Sequence, residues 1–244
     1  MFSRKTKPTE LAFGKVPAFC RYELHMERHR CTSEFIWKEH EGRDRLRILD
    51  VGAGPGLLKR FCDFGDIEWH GVDQDPGAVE MSASLGYAMK SVDIGEEPLP
   101  YPDAHFDVVN ASHVLEHVPN LGRCLGEMSR VLKAGGLLVV GMPVKPLLTH
   151  HLLRLYYGLK NKRKGLTTHA VDVNELKRLL REGLGREFRI IDLRGFRFIS
   201  ARRCTNWENH YGFYKANVWF GKRWPWLTRE VNVVLRKDGS TSNK

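Results

Sequence analysis

The sequence predicts an α/β fold: a doubly wound, mostly parallel sheet with helices on both faces. Three observations support this class. Short apolar runs alternate with segments of helical periodicity, the runs lack the polar–apolar alternation of half-exposed strands, and glycine turns follow several of them. Of the 244 residues, 42% are hydrophobic and 28% are charged, which is typical of a folded protein and not of a disordered one.

Four apolar runs and several helical segments are predicted in the first half of the chain. Pro76 fits the first turn of a helix. Apolar side chains recur at helical spacing after Pro119, which indicates another helix. The predicted strands are 47–51, 67–73, 106–111 and 137–141. The predicted helices are 21–37, 57–64, 76–85 and 119–132.

The second half of the chain changes in character. Asp172 is placed to cap a helix over 172–184, with a glutamate three residues further on. Apolar runs predict two closing strands at 189–193 and 231–236. The stretch 195–228 between these strands is rich in arginine and aromatic residues, and a connection of this length is usually functional.

Positive charge is concentrated in two late segments. The formal net charge is +10, although residues 144–170 contain six basic and no acidic residues, and 194–237 contain ten basic and two acidic ones. The rest of the chain is therefore net negative. These basic, aromatic segments fit an anionic small molecule or sugar, an anionic bilayer or RNA. Core packing is the alternative for each aromatic side chain. RNA is the least favoured partner, because no RNA-binding module is recognisable.

The lack of a recognisable targeting signal and the wide spacing of the cysteines predict a cytoplasmic protein. No apolar run approaches the roughly 18 residues of a membrane span, and residues 1–10 lack the apolar core of a secretory signal. The five cysteines are widely spaced, and none forms a C-x-x-C pair. This pattern predicts neither a zinc site nor a disulfide framework.

The strongest functional signal is a glycine turn between a strand and a helix start, Ile48-Leu49-Asp50-Val51-Gly52-Ala53-Gly54-Pro55-Gly56-Leu57. Glycines let a ligand approach the backbone closely, and a helix start offers free amide donors. The spacing G-x-G-x-G differs from the dinucleotide fingerprint G-x-G-x-x-G. The Asp50 carboxylate would repel a pyrophosphate but attract a cationic amino-acid ligand.

This turn resembles motif I of the class I S-adenosylmethionine (SAM)-dependent methyltransferases. Gly71-Val72-Asp73 is similar to the second motif of that family, and Ser91-Val92-Asp93-Ile94 to its adenine-binding segment. The resemblance extends over 47–143 and more weakly to Arg236. It implies a Rossmann-like sheet of seven strands with an antiparallel last strand, and SAM as the cofactor.

The resemblance also implies roles for individual residues in holding SAM. Asp73 would accept hydrogen bonds from both ribose hydroxyls, which a single carboxylate can do. Asp93 would accept from the adenine amino group, and the Ile94 amide would donate to the ring. The implied cofactor-binding residues are Asp50, Gly52, Ala53, Gly54, Gly56, Asp73, Gln74, Asp93, Ile94 and Asn110.

Within that family, the run Val114-Leu115-Glu116-His117-Val118-Pro119-Asn120 resembles the O-methyltransferases of quinone biosynthesis. This similarity implies methyl transfer to oxygen on a small-molecule, glycan or lipid-linked acceptor. Two alternatives stay open: a non-catalytic SAM-binding subunit, and an RNA methyltransferase.

His113, Glu116 and His117 are spaced so that one helical turn would place them on one face. Imidazole suits a general base because its unperturbed pKa is about 6.5. We predict His113 and His117 as catalytic residues. Metal ligation, substrate contact, and simple packing of His117 before Pro119 are alternatives. No metal is predicted, because a histidine at 113 replaces the glutamate usual in the quinone enzymes.

The predicted organisation has five segments. They are an N-terminal helical cap (1–45), a SAM-binding Rossmann-like core (46–143), a basic amphipathic insertion (144–170), a C-terminal part of the fold with a long aromatic and basic loop (171–237), and a flexible tail (238–244).

Overall fold

The structure, a computed structural model, describes residues 21–146, 171–198 and 211–239. The strands are β1 (Arg45–Val51), β2 (Asp66–Asp73), β3 (Ala88–Ser91), β4 (Phe106–Ser112), β5 (Leu132–Pro143), β6 (Phe188–Phe196) and β7 (Glu230–Lys237). The α-helices are α1 (Arg21–His40), α2 (Pro76–Ser84), α3 (Leu121–Val131), α4 (Val173–Leu184) and α5 (Tyr211–Arg223). Short 3-10 turns occupy Leu58–Phe61, Gly185–Glu187 and Pro225–Leu227.

The seven strands form one sheet in the order β3-β2-β1-β4-β5-β7-β6. Every neighbouring pair is parallel except those made by β7, which runs antiparallel to both β5 and β6. The predicted doubly wound Rossmann-like sheet with an antiparallel last strand is confirmed. β7 is inserted between β5 and β6, so β6 is the edge strand.

Helices cover both faces of the sheet, as predicted. On one face, Met128 of α3 and Leu180 of α4 belong to the larger apolar cluster. On the other face, Phe35 and Ile36 of α1 pack in a second cluster with Ile48 of β1. Both faces of β1 are therefore buried, which explains why its sequence is a continuous apolar run.

Three features of the structure differ from the elements predicted. β3 was not expected, because its four residues are mostly exposed and include no apolar run. The helix predicted at 57–64 is only a 3-10 turn, at Leu58–Phe61. The stretch predicted as a long connection contains helix α5, which packs on β6.

The glycine at position 221 allows α5 to lie directly against β6. A Cβ atom at Gly221 would lie 2.0 Å from the carbonyl oxygen of Gly195. Gly195 itself packs against the segment after α5, where a Cβ would lie 2.5 Å from Thr228 Oγ1. The backbones of helix and strand are therefore in contact, and this contact fixes which side of α5 faces outward.

Several predictions fall on residues outside the described ranges. These are residues 1–20 of the N-terminal helical cap, 147–170 of the basic amphipathic insertion, 199–210 of the long aromatic and basic loop, and 240–244 of the tail. Within the described ranges, none of the helices combines the length and the apolar character needed to cross a membrane. The boundaries of the five predicted segments stay a prediction.

Candidate functional site

The glycine turn after β1 adopts a conformation that favours glycine at three positions. Gly52, Gly54 and Gly56 have φ angles of 64°, 50° and 67°. A Cβ at Gly52 would lie 2.2 Å from Val114 Cγ2, whereas a Cβ at Gly54 would meet nothing within 4 Å. Gly52 is thus required by packing inside the protein. Gly54 leaves a bare stretch of backbone that a ligand can approach.

A cavity of about 420 Å³ lies beside this turn. It opens at the carboxyl ends of the strands, near the point where the strand order reverses between β1 and β4. Open α/β sheets bind their ligands at this topological position. Seven of the predicted site residues line the cavity: Gly52, Asp73, Gln74, Asp93, Ile94, His113 and His117.

Asp73 ends β2 and is held by the two loops beside it. Its Oδ2 accepts from the Gly54 amide at 2.9 Å, and its Oδ1 accepts from the Asp75 amide at 3.0 Å. Each oxygen keeps a further lone pair. Asp75 has a different role: its side chain caps helix α2 by accepting from the Gly77 amide at 3.0 Å.

Asp93 and Ile94 form the wall next to β3. Asp93 Oδ1 accepts from the Gly95 amide at 2.9 Å, which turns the chain sharply around the cavity. The Ile94 side chain is buried in the larger apolar cluster. This segment therefore presents one polar carboxylate edge and one apolar surface, a combination that suits a flat heteroaromatic ring.

Asp50 and Asn110 lie beneath the glycine turn and do not line the cavity. Asp50 Oδ1 accepts from Asn110 Nδ2 at 2.7 Å, and Oδ2 accepts from the Tyr87 hydroxyl at 3.2 Å. Burial raises the pKa of Asp50 to about 6, although these two hydrogen bonds oppose the rise. In this arrangement the pair supports the turn from below. Ala53, Gly54 and Gly56 also lie outside the cavity lining, and a direct cofactor role for these five residues stays a prediction.

His113 is held between two carboxylates at the end of β4. Its Nε2 lies 2.7 Å from Glu230 Oε1, and its Nδ1 lies 3.2 Å from Glu116 Oε1. Its φ of 61° is in the left-handed region that few non-glycine residues adopt. Burial disfavours the charged ring, but the hydrogen bonds to both carboxylates outweigh it and raise the pKa of His113 to about 9.

This pKa changes the chemistry expected of His113. With both ring nitrogens facing carboxylates, each donates a hydrogen, and the ring is an imidazolium at neutral pH. An imidazolium has no lone pair with which to accept a proton. His113 is therefore the cationic member of an ion cluster with Glu116 and Glu230 at the wall of the cavity.

Glu230, at the start of β7, was not among the predicted site residues. Glu230 also forms ion pairs with two arginines. Arg28 Nη1, from α1, lies 3.1 Å from Oε1, and Arg197 Nη1 lies 3.8 Å from Oε2. Burial would raise its pKa, but the bonds from His113 and Arg28 lower it to about 2. One sequence signal could have found it: Glu230 is the only acidic residue between 209 and 237.

His117 contrasts with His113, although both line the cavity. Its side chain is 69% exposed, and its Nε2 lies 3.9 Å from Glu116 Oε1. The segment from His113 to His117 forms a turn, not the helix that the spacing suggested. The turn still brings both histidines to the one carboxylate of Glu116.

Metal ligation was one alternative for this cluster. Among the residues that the structure describes, no group of three or more histidine, cysteine, aspartate or glutamate side chains is arranged to hold a metal ion.

A doubly wound sheet with a glycine turn at its switch point and a carboxylate after the second strand is the arrangement typical of nucleoside-binding α/β folds. Residues 49–140 match the family model described as a methyltransferase domain. Over this part of the chain the sequence is similar to that of the methyltransferases.

Curated relatives match parts of the chain. A ubiquinone biosynthesis O-methyltransferase of Bradyrhizobium sp. (strain ORS 278) is 33% identical over 146 residues, covering 56% of this chain and 51% of that one. An uncharacterized methyltransferase of Mycobacterium sp. (strain KMS) is 35% identical over 97 residues, covering 40% of this chain and 38% of that one. The chain thus spans about half or less of the length of these relatives.

Solved structures with the same fold cover more of the chain. The (4+2) cyclase SpnF aligns with a TM-score of 0.57 and 21% identity, covering 86% of this chain and 81% of that one. The CurJ carbon methyltransferase aligns with a TM-score of 0.58 and 16% identity, covering 86% of this chain and 54% of that one. At these identities the likeness concerns the fold alone.

Proposed function

We propose that the protein is a SAM-dependent methyltransferase that moves a methyl group to oxygen on a small-molecule, glycan or lipid-linked acceptor. The observation that carries the proposal is that one cavity is lined both by Asp73, with Gly52 of the glycine turn, and by the two histidines. A cofactor-holding group and a proton-handling group thus face the same space. The O-methyltransferase name of the Bradyrhizobium relative supports oxygen as the acceptor atom.

The residues present fit SAM. The backbone at Gly54 is open to a ligand, Asp73 retains acceptor capacity for a diol, and the cavity volume lies within the range of cofactor sites. Gln74, Asp93 and Ile94 complete the set that would hold the nucleoside. When bound, SAM supplies an electrophilic methyl group on a sulfonium centre.

The chain itself would orient and activate the acceptor hydroxyl. His117 is exposed to the cavity, and in its neutral form a free ring nitrogen can take the hydroxyl proton. Holding the oxygen in line with the reacting carbon supplies a large part of the rate.

Binding by calorimetry tests the cofactor site. We expect SAM and S-adenosylhomocysteine to bind with micromolar affinity, and Asp73→Ala to abolish binding. Asp75→Ala is the matched control, because that carboxylate caps α2 outside the cavity lining and the variant should bind as wild type does. Failure of the wild type to bind either compound would contradict the proposal.

Turnover with a panel of quinols, sugars and lipids separates an enzyme from a non-catalytic SAM-binding subunit. We expect His117→Gln to keep its SAM affinity and to lose about 10²-fold or more in methyl transfer. The subunit alternative is favoured if the wild type binds SAM but methylates no acceptor. The fold leaves this alternative open, because it hosts many chemistries.

A further inference from the structure

Helix α5 presents an outer face that combines exposed tryptophan with exposed positive charge. Trp219 is 58% exposed, and it is one of only four large hydrophobic side chains that are exposed in the described structure. Lys222 and Arg223, three and four residues further on, are also exposed and share this side of the helix. Trp226 follows in the next 3-10 turn and is 40% exposed. We call these four residues the tryptophan–cation face.

The orientation of this face is fixed by packing. Gly221 contacts the backbone of β6, and Asn217 is buried on the inward side. Trp219 packs edge-on against Phe220 and Trp224, with ring centroids 4.9 Å and 5.6 Å apart. The indole is therefore ordered by its neighbours and still exposes more than half of its surface. It cannot turn inward without separating α5 from the sheet.

The segment that carries the face has charge of one sign, and the carboxylate of Glu27 on α1, which interacts electrostatically with Lys222, is buried. Residues 209–229 contain no aspartate or glutamate. Within the part of the chain that the structure describes, Lys222, Arg223 and the nearby Arg229 form no ion pair with a carboxylate. Exposed cations around an exposed indole are complementary to an anionic surface with an apolar layer beneath it.

We propose that the tryptophan–cation face docks the protein peripherally on an anionic phospholipid bilayer. Tryptophan favours the headgroup level of a membrane, where its ring is partly buried and its N–H stays hydrated. Basic residues beside it are attracted by anionic headgroups. RNA fits less well, because single-stranded RNA is bound along a groove that follows its backbone, whereas here one helix face carries the groups. The docking does not depend on methyl transfer.

Co-sedimentation of the full chain with lipid vesicles tests this docking. We expect binding to vesicles of phosphatidylcholine mixed with phosphatidylglycerol, weaker binding as salt is raised, and little binding to phosphatidylcholine alone. Lys222→Gln with Arg223→Gln should weaken binding roughly fivefold for each charge removed. Trp219→Ala with Trp226→Ala should also weaken it, and should abolish quenching of tryptophan fluorescence by brominated lipid.

Matched variants on other surfaces give the comparison. Arg186→Gln with Arg189→Gln removes the same charge at the far end of β6, and Met81→Ala removes an exposed apolar side chain from α2. Both should bind vesicles as the wild type does. The proposal is overturned if these control variants lose as much vesicle binding as the variants of the tryptophan–cation face. It is also overturned if the wild type does not bind anionic vesicles, whether or not it binds a polyuridine RNA instead.

Discussion

At the scale of single residues, the site depends on contacts between positions far apart in sequence. His113 was predicted as a catalytic residue from its place after β4, but its partner Glu230 is 117 residues away. The pairing follows from β7 being inserted next to β5, and no local pattern in the sequence encodes it. The carboxylates of Glu230 and Glu116 raise the pKa of His113, and a catalytic role for this residue stays a prediction.

Substitution of Gly54 by alanine should separate ligand binding from folding. An alanine at its φ of 50° costs about 1 kcal/mol in the free energy of unfolding. On the proposed contact of the Gly54 backbone with the cofactor, the added methyl group should also lower SAM affinity about tenfold or more, because it would occupy the space that the ligand needs. Urea denaturation and calorimetry measure the two effects.

Gly42→Ala is the matched control for this substitution. Gly42 has a φ of 85° and also has no atom within 4 Å of a Cβ, but it lies outside the site. It should lose a similar amount of stability and keep full affinity for SAM. Equal losses of affinity in the two variants would show that the effect at Gly54 is not local to the ligand.

At the scale of elements, the sequence predicted those parts whose local signals agree. The apolar runs of β1, β4 and β7 are buried on both faces of the sheet, so burial and pattern coincide. Asp172 caps α4 by accepting from two backbone amides, as predicted. β3 escaped prediction because it is short and mostly exposed, and its pairing with β2 depends on tertiary contacts.

Helix α5 escaped prediction for a related reason. Its sequence is rich in aromatic residues and glycine, which are weak helix formers. The contact of Gly221 with the backbone of β6 stabilises it instead, so the glycine is required by packing although it is unfavourable for the helix itself.

Gly221→Ala should therefore destabilise the protein although alanine favours helices. Its Cβ would lie 2.0 Å from the Gly195 carbonyl oxygen, so α5 must move away from the strand. We expect a loss of about 2 kcal/mol in the free energy of unfolding. Gly212→Ala is the control on the same helix: a Cβ there meets nothing within 4 Å, and stability should stay the same or rise. Chemical denaturation of both variants measures the two changes in the free energy of unfolding.

At the scale of the whole molecule, the network around Glu230 joins the beginning, middle and end of the described chain. Arg28 comes from α1, His113 from the end of β4, and Glu230 from β7. The glycine turn and Asp73 could be found from sequence because a short segment carries each of them. This ion cluster could not, since its members meet only after the sheet has formed.

The stability of the folded protein should depend on the charge of His113 in mildly alkaline solution. The pKa of His113 is raised from 6.5 to about 9 on folding, so the native state binds the extra proton between these values. Its stabilising contribution is complete below about pH 6.5 and is lost as the pH rises toward 9, by about 3 kcal/mol in total. Denaturant titrations across this range measure the loss.

Variants at His113 and Glu230 test whether the titration of His113 causes this pH dependence of stability. In His113→Gln the decline between pH 6.5 and 9 should be smaller than in the wild type, because the titrating ring is absent. Glu230→Gln removes one of the two partners that hold the proton and should give an intermediate slope. Identical slopes in all three proteins would rule out His113 as the group responsible.

The insertion of β7 between β5 and β6 also has a consequence for biosynthesis. A ribosome makes β6 before β7, yet in the described sheet β6 pairs only with β7. The nascent polypeptide must therefore keep the edge of β5 unpaired until nearly the whole described chain has been translated. Unpaired strand edges are templates for aggregation. A holdase that shields this edge late in translation should raise the yield of the protein more than one that acts only on its first half.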